Sequence, residues 1–214
     1  MILPTLLREK KLWEQGYENI VGLDEVGRGP WAGPLLAAGV VVHRNQASSV
    51  NRQAIFKYVR DSKLLSWRQR EMIYNELSSC DWLDWAVGIV EVAEVDTLGI
   101  GEASRLAMRR AIGQLSLRPD FLLIDAVKLP EYTRQSESII KGDVQVFSIA
   151  CASIIAKVIR DNMMRELAQK YPYWGFDKHK GYGTAFHSAM IEKYGVSEAH
   201  RKSFRPIKRV LKLE

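Results

Sequence analysis

Four carboxylates in this sequence sit where an apolar run gives out or is about to begin. Asp24 and Glu25 close "IVGLDE" and are followed at once by Gly-Arg-Gly-Pro, Asp125 ends "DFLLID", and Asp143 stands ahead of a long apolar-rich segment. If the fold brings the four to one edge, each like-charged pair at about 4 Å costs on the order of 1 kcal/mol in water and about 4 kcal/mol at an effective dielectric of 20. A cation would offset that repulsion. Oxygen donors without His or Cys suit Mg²⁺ or Mn²⁺, and two such ions about 3.5–4 Å apart can hold both the attacking and the leaving oxygen of a phosphodiester displacement. Each acid also has a plainer reading. Asp143 could cap the next helix, Asp125 could be an exposed strand end, and Asp24 and Glu25 could pair with Arg28. Only convergence in space separates the two readings.

The elements that must position these groups follow from pattern. Thr5 to Trp13 reads as a short helix closed by Gly16; Ile20 to Asp24 and Leu35 to Val42 read as strands, antiparallel, joined by the Gly- and Pro-rich turn. Residues 44–60 are polar and mixed, an irregular connection. Ser66 with Gln69 three residues on predicts a capping box opening a helix to Cys80. Trp85 to Val92 is β-branched and bounded like a strand, Glu102 to Leu115 is helical, and Asp120 to Ala126 is a short apolar strand. A further extended piece, Ser138 to Lys141, precedes Asp143 and an amphipathic helix from about Gln145 to Lys170. Small helices and loops fill the rest. Strands first paired antiparallel and later alternating with helices imply an α/β domain, a mixed central sheet flanked by helices.

Composition narrows the class. The 214 residues fit one domain, or one with a small appendage. The longest uncharged run, residues 29–43, is broken by two prolines and three glycines and does not read as a membrane span. "MILPTLL" runs straight into "REKK", without the cleavage site of a secretory leader. A cytoplasmic protein is expected. Cys80 and Cys151 lack metal or redox spacing and are expected to be reduced and buried. The net charge is +6, yet residues 156–214 carry 13 Lys and Arg against 6 Asp and Glu, so the basic excess is C-terminal. Such asymmetry fits a polyanion partner as well as a solvated basic face.

"LDEVGRGPWAGP", "DSKLLS", "LLIDAV", "KGD", "SIACASIIAKVIRD" and "HKGYGTAFH", in that order, resemble the ribonuclease HII family, the type 2 ribonucleases H of bacteria, over about residues 16–205. The resemblance implies a ribonuclease H-like fold, with residues 1–170 as catalytic core and 171–214 as a C-terminal helical region that binds substrate. It also implies an endonuclease, with a role in DNA replication and repair, that cuts RNA paired to DNA and nicks 5′ to single ribonucleotides in duplex DNA, leaving 3′-OH and 5′-phosphate ends. By the same resemblance Asp24, Glu25, Asp125 and Asp143 are the metal-binding acids for Mg²⁺ or Mn²⁺. Gly27, Arg28 and Gly29 meet the nucleotide bearing the 2′-OH, the group that distinguishes RNA from DNA. Tyr182 packs on the following deoxyribose. Ser153 and Lys157, on one helical stripe with Arg160, are expected at phosphates, as are Lys63 and its neighbour Ser62. His179 and His187 flank Tyr182 without metal-ligand spacing and are expected to be positional.

The partners so implied are RNA/DNA hybrid and ribonucleotide-containing duplex DNA, without membrane, for a monomeric enzyme. The related ribonuclease HIII usually carries an added N-terminal domain, for which the 19 residues before the first strand leave no room. Three positions depart from the family pattern: "IDAV" stands for the more usual Asp-Gly, Gly99 lies in a segment where relatives commonly have asparagine, and Cys151 stands where alanine is common.

Overall fold

The computed structural model describes residues 3–46, 58–60, 62–132 and 135–213. Most of the connection between 44 and 60 therefore lies outside the described residues; its start, Arg44–Gln46, is a single 3₁₀ turn. Strands β1 (Ile20–Val26) and β2 (Leu35–Val42) pair antiparallel, with Leu23 opposite Gly39 and Asp24 opposite Ala38. β3 (Leu83–Val90) extends the antiparallel side. On the other flank β4 (Phe121–Asp125) runs parallel to β1, and β5 (Ser136–Ile139) runs parallel to β4. The order is β3-β2-β1-β4-β5, a mixed sheet with β1 at the join of its two halves.

Every residue of β2 is buried, as a strand covered on both faces requires. Alternation sends Ala38, Val40 and Val42 to one face, against α1 (Leu7–Glu14), α2 (Trp67–Ser79) and α4 (Phe147–Lys170). Leu35, Ala37 and Val41 go to the other, against α3 (Val92–Gln114). The capping box at Ser66 is present: Ser66 N–H donates to Gln69 Oε1 at 2.8 Å, and Gln69 N–H to Ser66 Oγ at 3.4 Å.

Two boundaries differ from the sequence pattern. β3 ends at Val90 and α3 begins at Val92, because Glu94 reaches back to the Glu91 N–H (3.0 Å) and caps the helix with a residue that seldom does so. Gly99, at φ 72° and ψ 160°, then breaks α3 into two helical segments, which is why only the part after residue 101 reads as helix in the sequence. Helix α4 is buried without interruption from Phe147 to Ala156; it enters the core end-on, and only its later turns are one-sided.

The N-terminal segment fixes where α4 starts. Thr5 N–H donates to the Gln145 carbonyl and Phe147 N–H to the Thr5 carbonyl. The fully buried Glu9 accepts from the Ser148 N–H (3.0 Å) and from its hydroxyl (2.7 Å), a carboxylate at the positive end of α4. Beyond α4 come the short helices α5 (Phe176–His179), α6 (Ala185–Tyr194) and α7 (Arg205–Leu211); α5 folds back on α4, in a cluster of Ala32, Met164, Phe176 and Ala199. Among the described residues no helix is long and apolar enough to cross a membrane.

Candidate active site

The three parallel strands end together. Leu23 and Ile124 are the last paired couple of β1 and β4, so Asp24 and Asp125 follow at the same level; Ile139 of β5 lies opposite Asp125, and the next turn, Gly142–Val144, carries Asp143. This is the carboxyl edge of the parallel strands, where open α/β sheets place their sites. The Asp24 carboxyl is pushed well above its ordinary range, first by burial, then by the charge of Glu25, with Asp125 and Asp143 adding to the push and only the Ser153 hydroxyl opposing it. Glu25 is raised by burial, against a hydrogen bond from Arg28 Nη1 at 3.1 Å. Asp24 thus feels the field of the other three acids, and Glu25 that of Asp125.

Each acid also has an internal partner. The Glu25 N–H donates to Asp24 Oδ1 (2.7 Å), the Gly142 N–H to Asp125 Oδ1 (2.7 Å), and Lys63 Nζ reaches Asp143 Oδ2 at 3.5 Å. Among the described residues no three acids, histidines or cysteines already form a closed metal cage. The donor set nevertheless fits a hard divalent cation: all oxygen, mutually repelling, and with Glu25 Oε2 buried without any hydrogen-bond partner. Lys63, mostly exposed, and Arg28, about half exposed, are the cations that a metal ion would have to displace or join.

Behind Glu25 the chain turns at Gly27, φ +96°, where a Cβ would meet Arg160 Nε at 2.5 Å. Arg160 is fully buried and is not on a phosphate-facing stripe with Ser153 and Lys157. Its Nε donates to the Pro34 carbonyl (3.0 Å), Nη2 to Ala32 (3.2 Å) and Nη1 to Lys180 (3.1 Å). It ties the residue 28–34 turn to the loop that carries Tyr182. The Tyr182 ring is exposed and lies beside Gly29, 3.7 Å from where a Cβ on that glycine would be. Arg28, Gly29 and Tyr182 therefore share one surface next to the acids.

The remaining expected residues separate into two sets. Lys63 and Tyr182 face solvent, whereas Ser62 and Ser153 are buried and joined Oγ to Oγ at 3.0 Å beneath Asp24. Lys157 Nζ is occupied by Asp161 Oδ1 at 2.7 Å. His179 is partly buried and His187 fully so, both in hydrogen bonds to the Tyr182 loop and its surroundings. Cys151 is buried, but Cys80 only in part, and both are free thiols. Sequence reasoning missed Arg201, which is buried and donates from Nε to the Gly33 carbonyl (2.9 Å) and from Nη1 to the Arg28 carbonyl (3.3 Å). Carbonyl partners leave no mark in a sequence. It also missed His200, buried against His187.

A five-stranded mixed sheet with acids at its parallel edge and helices on both faces is the fold of the ribonucleases H, hydrolases that cut nucleic acid. The structure superimposes on the ribonuclease H2 of Pyrococcus horikoshii with a TM-score of 0.74 at 25% identity, over 91% of this chain and 98% of that one. It shares its fold with Bst ribonuclease HIII, solved in complex with Mn²⁺, at a TM-score of 0.68 and 18% identity, over 92% of this chain and 70% of that one. A sequence profile of ribonuclease HII matches residues 21–207. Ribonuclease HII of a Geobacillus species is 47% identical over 96% of this chain and 71% of its own length, and that of Dehalococcoides mccartyi is 46% identical over 97% and 95%. The chain belongs to the ribonuclease HII family and is a nuclease.

Proposed function

We propose that this nuclease hydrolyses the RNA strand of RNA/DNA hybrids and nicks duplex DNA 5′ to single embedded ribonucleotides, leaving 3′-OH and 5′-phosphate ends, as a step in ribonucleotide removal from DNA. The observation that carries the reading is the convergence of Asp24 with Glu25, Asp125 and Asp143; burial first, and then the charges of these three neighbours, hold the Asp24 carboxyl well above its ordinary range. Asp24, Glu25, Asp125 and Asp143 hold two divalent ions, Mg²⁺ or Mn²⁺. Bound there, the ions supply Lewis-acid stabilisation of phosphoryl oxygens and lower the pKa of a water nucleophile.

The chain's own groups do the rest. The Ser62 and Ser153 hydroxyls orient Asp24 from below. Gly27, Arg28 and Gly29 admit the ribonucleotide closely enough for its 2′-OH to be read, and the Tyr182 ring packs on the next sugar, where a 2′-OH would not fit. Lys63 and Lys157, each now paired with an acid, exchange those partners for phosphates. Residues 171–214 form the substrate-binding region on the 1–170 core, and their basic excess supplies sequence-independent affinity.

The test is a labelled DNA duplex with one ribonucleotide, incubated with the protein and Mg²⁺, Mn²⁺ or EDTA, with the cut mapped. A metal-dependent nick 5′ to the ribonucleotide is the expected result. Binding without any nick would make the protein a silent hybrid-binding module instead.

A further inference from the structure

The neighbours His200 and Arg201, far in sequence from both the Gly-Arg-Gly turn and Tyr182, reach both. We propose that His187, His200 and Arg201 are positioning residues that lock Tyr182 and the Gly-Arg-Gly turn into one rigid reader of the ribonucleotide–deoxyribonucleotide junction. The proposal rests on the roles given above to Tyr182 and Arg28.

The histidine arm has a single direction. The Ser197 N–H can only donate, and it does so to His200 Nδ1 at 3.0 Å, so His200 carries its proton on Nε2. That nitrogen lies 3.0 Å from His187 Nε2, which must then accept. His187 is left protonated on Nδ1, 3.0 Å from the Tyr182 carbonyl, an acceptor with no alternative. One chain thus runs from the Ser197 amide through two neutral imidazoles of opposite tautomer to the backbone of Tyr182. Both rings are fully buried, and burial lowers both to about 4, so the chain is neutral at working pH. His179 stacks on His187 with centroids 4.3 Å apart, and its Nδ1 accepts from the Gly181 N–H at 3.1 Å, fixing the residue before Tyr182 as well.

The arginine arm begins one residue later. The Arg201 N–H donates to the Trp31 carbonyl at 2.8 Å, Nε to Gly33 and Nη1 to Arg28. Trp31 closes the space between the arms: its N–H donates to the Gly181 carbonyl at 2.8 Å, and its ring lies over His187, centroids 5.6 Å apart, and against Gly183. An apolar plug would fill this volume without the desolvation of two imidazoles and a guanidinium. What the polar groups add is directional hold on the Tyr182 and Arg28 carbonyls, that is, on the backbone just behind the two side chains that face substrate.

Two measurements test this. The first is ¹⁵N NMR of histidine-labelled protein, in which only four imidazoles contribute. His187 should show a protonated Nδ1 and a bare Nε2, and His200 the reverse; the same tautomer at both, or exchange between tautomers, overturns the chain whatever the enzyme cuts. The second is the ratio of kcat/KM on a single embedded ribonucleotide to that on a continuous hybrid. An Asn amide stands where Nδ1 of His187 does and keeps the bond to Tyr182; a Gln amide stands at Nε2 and loses it. His187→Gln should lower the ratio roughly tenfold or more, in keeping with a small misplacement of a substrate-facing group, and His187→Asn should recover most of it. Arg201→Lys, which keeps the charge but not the fork, should lower it as His187→Gln does. If Tyr182→Ala collapses the ratio while His187→Gln and Arg201→Lys leave it unchanged, the positioning role is wrong. If Tyr182→Ala itself leaves the ratio unchanged, the reading of Tyr182 has failed and the proposal falls with it.

Discussion

The acid edge and the nest of cations behind it are built on opposite plans. At the edge, burial and the charges of Glu25, Asp125 and Asp143 push Asp24 up, and one buried oxygen of Glu25 has no hydrogen-bond partner. Behind it, Arg160 and Arg201 are buried with no carboxylate in direct contact; five of their nitrogens donate to the carbonyls of Pro34, Ala32, Lys180, Gly33 and Arg28, and Arg201 Nη2 is left without a hydrogen-bond partner. The first region holds energy that the proposed cations would release. The second has its geometry settled in advance. Placing repulsion where a charged ligand would enter, and a dense set of side-chain bonds to main-chain carbonyls where shape must persist, is how a site combines affinity with preorganisation.

The sharpest way to break the contrast is Asp24→Asn. Removing one of the clustered charges should abolish cleavage, by about 10³-fold or more, because the proposed cations would lose a ligand. Hybrid binding should survive, and the melting temperature at pH 8 should rise, since a buried charge that its neighbours oppose has become a neutral amide. A mutant that cuts normally, or one that is less stable at pH 8, would undo the description of the acid edge.

Next in size is Gly27→Ala. The residue sits at φ +96° and its new methyl meets Arg160, so the change should cost about 2 kcal/mol or more from left-handed strain together with displacement of a buried guanidinium. Urea denaturation would measure it, and a neutral outcome would mean that the turn is far softer than the arginine contacts imply.

The cation nest should reveal itself in acid. His187 and His200 titrate at about 4 in the folded chain against about 6.5 when unfolded. As pH falls below 6.5 the unfolded chain takes up protons that the folded chain refuses, so stability falls by about 1.4 kcal/mol per pH unit for each ring until pH approaches 4. Asp24 works with the opposite sign, because its raised value lets the folded state hold a proton that the unfolded state has lost. Melting curves from pH 7 to 4.5 in an Asp24→Asn background remove the largest opposing group; Glu9 and Glu25, also raised, and His179, also lowered, stay common to the proteins compared. Adding His187→Asn should make the fall in stability with acid clearly shallower; an unchanged slope would place the protons elsewhere.

The smallest effect lies at Ala126, which holds φ +51° immediately after Asp125. The chain strains an alanine there, and Ala126→Gly should raise stability by about 0.5–1 kcal/mol by thermal or urea denaturation. A loss of stability would show that the turn draws on the methyl group in some other way.

Much of this was legible in the sequence. Strand-end acids, the Ser66 and Gln69 capping box and the antiparallel β1–β2 pair are local patterns, and local patterns survive folding. Arg160 was misplaced for an equally physical reason: helical spacing groups it with Ser153 and Lys157, but α4 is buried far along its length, so its polar residues meet other segments instead of solvent. Arg201 and the His187–His200 pair were invisible because their partners are main-chain atoms or rings brought near only by the fold. The start of α3 was hidden by Glu91, an uncommon cap, and by Gly99 breaking its period.

The place of β1 at the centre of the sheet has a consequence for the newborn chain. Asp24 and Glu25 leave the ribosome early, yet their strand has only β2 to pair with until β4 emerges roughly a hundred residues, or some five to twenty seconds, later. Helix α1 waits longer still, since the groups that hold Thr5 and Glu9 belong to residues 145–148. A nascent chain that ends before β4 and the turn at Gly142–Val144 therefore cannot assemble the four acids, although Asp24 and Glu25 are among the first residues made.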